Sequence, residues 1–321
     1  MTHLELILLP PILFAQILLA QNALAAPEAY ITNQGSDSVS VIDVAQHQVV
    51  TAIAVGKAPA GVAVSERQHR AYISNVEGQS ISVIDTETRK VTKEIALAGA
   101  PLGIALSYDE NKLFVAYWYD DKIVELDAAS YQILREFKVG KSPSGLLASL
   151  DGHYLFVANR DSNDVAVVDL RKGEVSNRIV VGEHPFGLAQ SLDGSQLYVV
   201  NVHAETLSII AAPYTAVTDT IKVGAHPYCA AASKDSIYVT NTEGDSVSVI
   251  NAASHQVTST IKVGSVPEGI AYAAATNQIY VASWGDDNVS VIDASNNKLI
   301  AQIATGAQSR AFGQFIAAAP H

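Results

Sequence analysis

A short aromatic-apolar segment returns seven times along this chain, and its spacing constrains the fold more than any other feature. Residues 30–33 read Tyr-Ile-Thr-Asn, and counterparts begin at Tyr72, Phe114, Phe156, Tyr198, Tyr238 and Tyr280. The steps between them are 42 residues, except for one of 40. Thirteen residues into each unit stands Asp43, Asp85, Asp127, Asp169, Ala211, Asn251 or Asp293. Sixteen further on stands Pro59, Pro101, Pro143, Pro185, Pro227, Pro267 or, last, Ser309. These inner spacings do not vary. A fixed period near 42 describes one supersecondary unit copied in series, each copy burying its apolar face on its neighbours.

Each unit contains four strand-like runs. In the second unit they are 61–65, 70–75, 80–85 and 91–97, rich in Val, Ile, Tyr and Thr and parted by Gly, Asn, Asp and Ser. A run such as Val39-Ser40-Val41-Ile42 is apolar on one side and small or apolar on the other, as a strand covered on both faces must be. Four antiparallel strands in every ~40–45 residues make a propeller blade. The expected fold is all-β, a seven-bladed β-propeller. Residues 311–316 have no partner strand after them, and 30–33 have none before them. Pairing the two closes the ring, with one C-terminal strand joining three N-terminal strands, and removes two free edges. The step of 40 falls in a single hairpin, because Cys229 to Tyr238 spans nine residues where Gly187 to Tyr198 spans eleven. The seven periods fill residues 27–321 and leave no room for a second catalytic domain.

The remaining residues, 1–26, hold an apolar stretch from Leu4 to Leu19 and end in Ala23-Leu24-Ala25, with small residues at the −3 and −1 positions of a cleavage site. That is the layout of a signal peptide, although no Lys or Arg precedes Lys57. Pro10 and Pro11 break the stretch below the ~20 residues a spanning helix needs. The expectation is a periplasmic or secreted protein, monomeric, with no membrane span once the signal is removed. Acidic residues outnumber basic ones 32 to 20, a net charge of −12, which argues against a nucleic-acid partner. The single Cys excludes an intrachain disulfide and any cysteine-rich metal centre.

Tyr238-Val239-Thr240-Asn241 is a literal copy of the tetrapeptide that names the YVTN family of β-propeller repeats, which this chain resembles. The companion Val-Gly-x-x-Pro-x-Gly pattern stands at 55–61, 139–145, 181–187 and 263–269, and residues 309–316 are similar to that family's closing segment. The resemblance covers nearly all of the chain after residue 26. Within the family it is strongest to the periplasmic YncE-like group, and that resemblance implies single-stranded DNA binding. Wider propeller relatives include amine dehydrogenase subunits, haem d1 proteins, lactonases and the streptogramin lyase, so the fold leaves the activity open.

In a four-stranded blade, the loop between second and third strands and the loop between blades share one face, around the mouth of the central channel. The residue after each Pro-like position should point there: Ala60, Leu102, Ser144, Phe186, Tyr228, Glu268 and Arg310. Phe186, Tyr228, Trp118 and Trp284 offer rings for stacking, with Arg160 among the few cations of an acidic rim. The alternative is that these side chains plug the channel and pack on neighbouring loops. Glu268 and Arg310 are expected to pair as a salt bridge. His184, His203 and His226 flank one blade, and converging imidazoles bind a divalent transition metal, with Cys229 as a soft fourth ligand. The alternative is three separate turn residues. There is no Gly-x-Ser-x-Gly elbow, phosphate-binding glycine loop or haem attachment motif. The sequence therefore reads as an exported, non-catalytic binding or scaffolding propeller, holding a protein or small-molecule ligand over the channel mouth. The rivals are a metal-assisted lyase or lactonase using the histidines, and single-stranded DNA binding.

Overall fold

The computed structural model describes residues 27–316; the expected signal peptide at 1–26 lies outside them. Seven antiparallel sheets follow one another along the chain, and they form seven blades. Blade 1 has three strands over 28–54, and blades 2 to 7, four strands each, cover 59–96, 101–138, 143–180, 185–222, 227–262 and 267–304. Among the described residues the helical pieces are three short 3-10 turns, Gln34–Ser36, Arg160–Ser162 and Thr242–Gly244. No helix there is long and apolar enough to cross a membrane.

The second unit's strands, Pro59–Ser65, Arg70–Asn75, Ser80–Asp85 and Lys90–Ala96, fall where the Val/Ile/Tyr runs place them. The inner three strands are buried on both sides, while the outermost is largely exposed, with Ile95 its one buried residue. That gradient explains the near-continuous apolar runs of the first three strands and the charged, amphipathic fourth. The short step is also accounted for: three residues link Pro227–Ala232 to Ser236–Asn241, against five between Pro185–Gln190 and Gln196–Asn201.

The ring closes as the strand count requires. Residues 309–316 run antiparallel to Glu28–Asn33, bridging Asn33 to Ser309 and Ala29 to Ile316. Tyr30 N–H donates to the Phe315 carbonyl at 2.9 Å and Arg310 N–H to the Thr32 carbonyl at 2.9 Å. Phe312–Gln314 also pairs in parallel with the inner strand of blade 2, at Gly61–Ala63. Phe315 is fully buried, which makes the closing segment part of the core.

Candidate functional site

The two loop classes meet on one face, as blade geometry requires. Val202 N–H donates to the His184 carbonyl at 2.9 Å, and Thr242 N–H to the His226 carbonyl at 3.0 Å, so each entry loop lies against the inner loop of its own blade. Around the axis, the inward residues fill the channel. Phe186 lies 4.2 Å from Tyr228 and 5.2 Å from Phe312, centroid to centroid, and Trp118 leans on Phe186 at 6.4 Å. Phe186 is buried and Tyr228 nearly so. They plug the channel, the alternative that the sequence left open for them. Phe312, supplied by the closing strand, completes that plug; its role depends on a contact across the ring that no local spacing reveals.

Glu268 and Arg310 form the expected ion pair. Arg310 Nε donates to Glu268 Oε2 at 2.6 Å and Nη2 to Oε1 at 3.0 Å, and Nη1 donates to Gln34 Oε1 at 2.9 Å. Burial pushes the Glu268 carboxyl up, and the guanidinium opposes that push. This bidentate, buried pair, with its bond to Gln34, ties blade 7 to the closing segment and to blade 1. Trp284 joins the same seam, its Nε1–H donating to Gln34 Oε1 at 3.2 Å.

Cys229 is packed in the core between blades, its thiol pushed up by burial, and among the described residues it is not one of the groups whose ligand atoms converge with the histidines. Its inner-strand position decides this: the adjacent Gly187 leaves so little space that an added Cβ would meet the Cys229 Cα at 2.6 Å.

Outside the plug, a string of partly exposed side chains runs along the rim from blade 3 to blade 6. Arg160 Cζ stands 5.9 Å from the Trp118 ring centroid, and Arg160 Nη1 bonds Asp161 Oδ1 at 2.6 Å. Asp161 Oδ1 is 3.9 Å from His184 Nε2. The His184 and His203 rings are 3.9 Å apart, and His203 and His226 are 5.3 Å apart. The three histidines thus come together, but the groups with converging ligand atoms are Glu183, His184 and His203, all within 4.8 Å. His226 Nδ1 instead faces Glu243 Oε1 at 3.4 Å. Glu183 escapes a reading by spacing because it is adjacent to His184, and neighbouring residues ordinarily point apart. Burial, with Arg160 and His203 nearby, holds the His184 imidazole below its ordinary pKa.

Two open hollows, of about 500 and 460 Å³, lie on the opposite face. Leu150, Tyr154, Gln190 and Tyr214 line the first. Neither is lined by the plug or rim residues.

A family model described as a YNCE-like beta-propeller matches residues 63–153. No curated protein matches the chain. Among solved structures, the chain is similar to Kuenenia stuttgartiensis hydrazine synthase, at 21% identity, with 78% of this chain and 87% of that one covered and a TM-score of 0.71. It is also similar to a functionally unknown protein from Desulfotomaculum acetoxidans DSM 771, at 12% identity, 91% and 98% coverage and a TM-score of 0.78. A third likeness is to the dihydro-heme d1 dehydrogenase NirN in complex with DHE, at 14% identity, 88% and 74% coverage and a TM-score of 0.69. At such identities the structural likenesses speak for the fold alone. With the repeat and the closed seven-bladed ring, the chain is a seven-bladed β-propeller, and over residues 63–153 it is similar to the YncE-like propellers.

Proposed function

We propose that this protein is an exported, monomeric, non-catalytic binding propeller that docks a protein or small-molecule ligand on its loop face, over blades 3 to 6. The observation that carries this reading is the string Trp118–Arg160–Asp161–His184–His203–His226, in which each side chain contacts the next. Trp and Arg are the residues that most often anchor interfaces, and here a rigid ring presents them beside hydrogen-bonding groups of both signs. The groups best suited to acid–base or nucleophilic work are engaged elsewhere: Glu268 is clamped by Arg310 and Cys229 is buried. Nucleic acid is a poor fit for a chain of net charge −12. The apolar segment expected to direct export, at 1–26, supports the periplasmic or secreted placement.

The test is site-specific photo-crosslinking in cells of the native source. A photoreactive residue at Tyr119, 78% exposed beside Trp118, should yield a discrete adduct that Arg160→Ala removes. The same probe at Leu192, on the opposite face, should yield none. Adducts from Leu192 alone, or adducts from Tyr119 indifferent to Arg160, would sink the reading. An oligothymidylate gel shift at low salt should stay negative.

A further inference from the structure

The repeat allows blade 5 to be compared with its neighbours position by position. In blade 4 the residue before the inner-strand proline is Ser142 and the second residue of the inner loop is Asp161; Ser142 Oγ donates to Asp161 Oδ2 at 2.6 Å. In blade 6 the same two positions hold His226 and Glu243, 3.4 Å apart. Each is a donor beside an acceptor, a pair that satisfies itself. Blade 5 keeps the backbone of that arrangement, with Val202 N–H on the His184 carbonyl and His203 N–H on the Glu183 carbonyl at 3.2 Å. Its side chains, however, are two imidazoles with centroids 3.9 Å apart. The rings lie one over the other rather than edge to edge, and no hydrogen bond joins them. Nδ1 of His184 is buried and has no hydrogen-bond partner, which is costly unless something outside the chain is supplied.

We propose that Glu183, His184 and His203 form a binding site for one divalent transition-metal ion on the rim of blade 5. Two imidazole nitrogens and a carboxylate oxygen already lie within 4.8 Å of one another. A tetrahedral ion with bonds of about 2.0–2.2 Å holds its ligands roughly 3.3 Å apart. Glu183 is exposed, so rotation of its side chain closes that difference without disturbing the core. Imidazole donors select zinc, cobalt, nickel or copper over magnesium and calcium. Asp161, 3.9 Å from His184 Nε2, is placed to orient that ring, as carboxylates do around metal-bound histidines. Three protein ligands leave a coordination position open toward the loop face. The inference goes beyond the docking reading and does not depend on it.

The experiment is calorimetric titration of ZnCl2 into tag-free, chelator-stripped protein, repeated with CoCl2 to follow the visible bands of tetrahedral cobalt. One ion per chain is expected, with affinity falling about tenfold or more in His203→Gln and in Glu183→Gln. His153→Gln, on the opposite face, should leave it unchanged. Glu183→Gln alters an exposed side chain, so it carries the test even where His203→Gln fails to fold. Absence of binding to the parent protein, or affinity unchanged in Glu183→Gln, would overturn the site, as would an equal loss in His153→Gln.

Discussion

Asp245 ends the inner loop of blade 6 in the left-handed region, at φ 45°, and its Oδ1 accepts the backbone N–H of Val266 in the loop entering blade 7, at 3.0 Å. Asp37, Asp121 and Asp287 do the same for Ala58, Ser142 and Gln308, at 2.9, 3.0 and 2.6 Å. These acids, which in the sequence look like a solvated rim, are backbone acceptors that tie one blade to the next. In blade 4 the position is Asn163, which accepts from His184 N–H at 2.9 Å, so the amide oxygen serves as well as the carboxylate. Charge is then incidental to the job. We expect Asp245→Asn to change stability by less than about 0.5 kcal/mol and Asp245→Ala to cost about 2 kcal/mol, the latter losing both the bond and an easy left-handed conformation. Urea denaturation of the two variants checks this, and equal costs would refute it.

At the scale of the strand and loop, the repeat's conserved-looking letters explain one another across the fold. Asn241 closes the second strand of blade 6 fully buried, its Nδ2 donating to Ser246 Oγ at 3.2 Å and Ser248 Oγ at 3.0 Å. Its Oδ1 accepts from Gly224 N–H at 3.1 Å, and a Cβ on Gly224 would stand 2.5 Å from Asn241 Cγ. The glycine of Val-Gly-x-x-Pro exists because the asparagine of Tyr-Val-Thr-Asn lies against it. Thr240 works between blades, taking Cys229 N–H at 3.0 Å and donating to the Glu268 carbonyl at 3.0 Å. Tyr280 does so on the other side, its hydroxyl reaching the Val44 carbonyl at 2.8 Å. Gly224→Ala should therefore destabilise by about 1–3 kcal/mol, and Asn241→Ala by a similar amount. In Gly224→Ala/Asn241→Ala the clash has lost its partner, so the double variant should cost less than the two single costs combined. Strict additivity in a double-mutant cycle would count against the contact.

The whole molecule is a ring of acid-capped turns, and its pH response should show this. Backbone and side-chain hydrogen bonds hold Asp85, Asp127, Asp169 and Asp293 below the ordinary carboxylate range, and Ser191 and Ser195 hold Asp193 down to about 2. A carboxyl whose pKa falls on folding contributes stability that is complete above its unfolded value and lost as pH drops through its folded one. Glu66 and Glu268, both raised by burial, act in the opposite sense and are outnumbered. The urea midpoint should fall steadily from about pH 4 to about pH 2. A midpoint unchanged over that interval would contradict the assignment.

The sequence by itself determined the ring. The 42-residue period, the Val/Ile/Tyr runs and the unmatched end strands specify seven blades and their closure, because a blade buries its faces only on copies of itself and an open edge is costly. Strand limits in blade 2 were legible almost to the residue because short, mostly polar turns bound every apolar run. What only the tertiary structure decided is the direction and company of each side chain. Phe186, Tyr228 and Phe312 come from three blades, and only their meeting on the axis makes them a plug. Arg310 finds Glu268 across 42 residues, and Glu183 joins two histidines because one loop is laid against another. Repetition fixes where strands lie; the positions it leaves free acquire meaning when the ring brings them within a few ångström of one another.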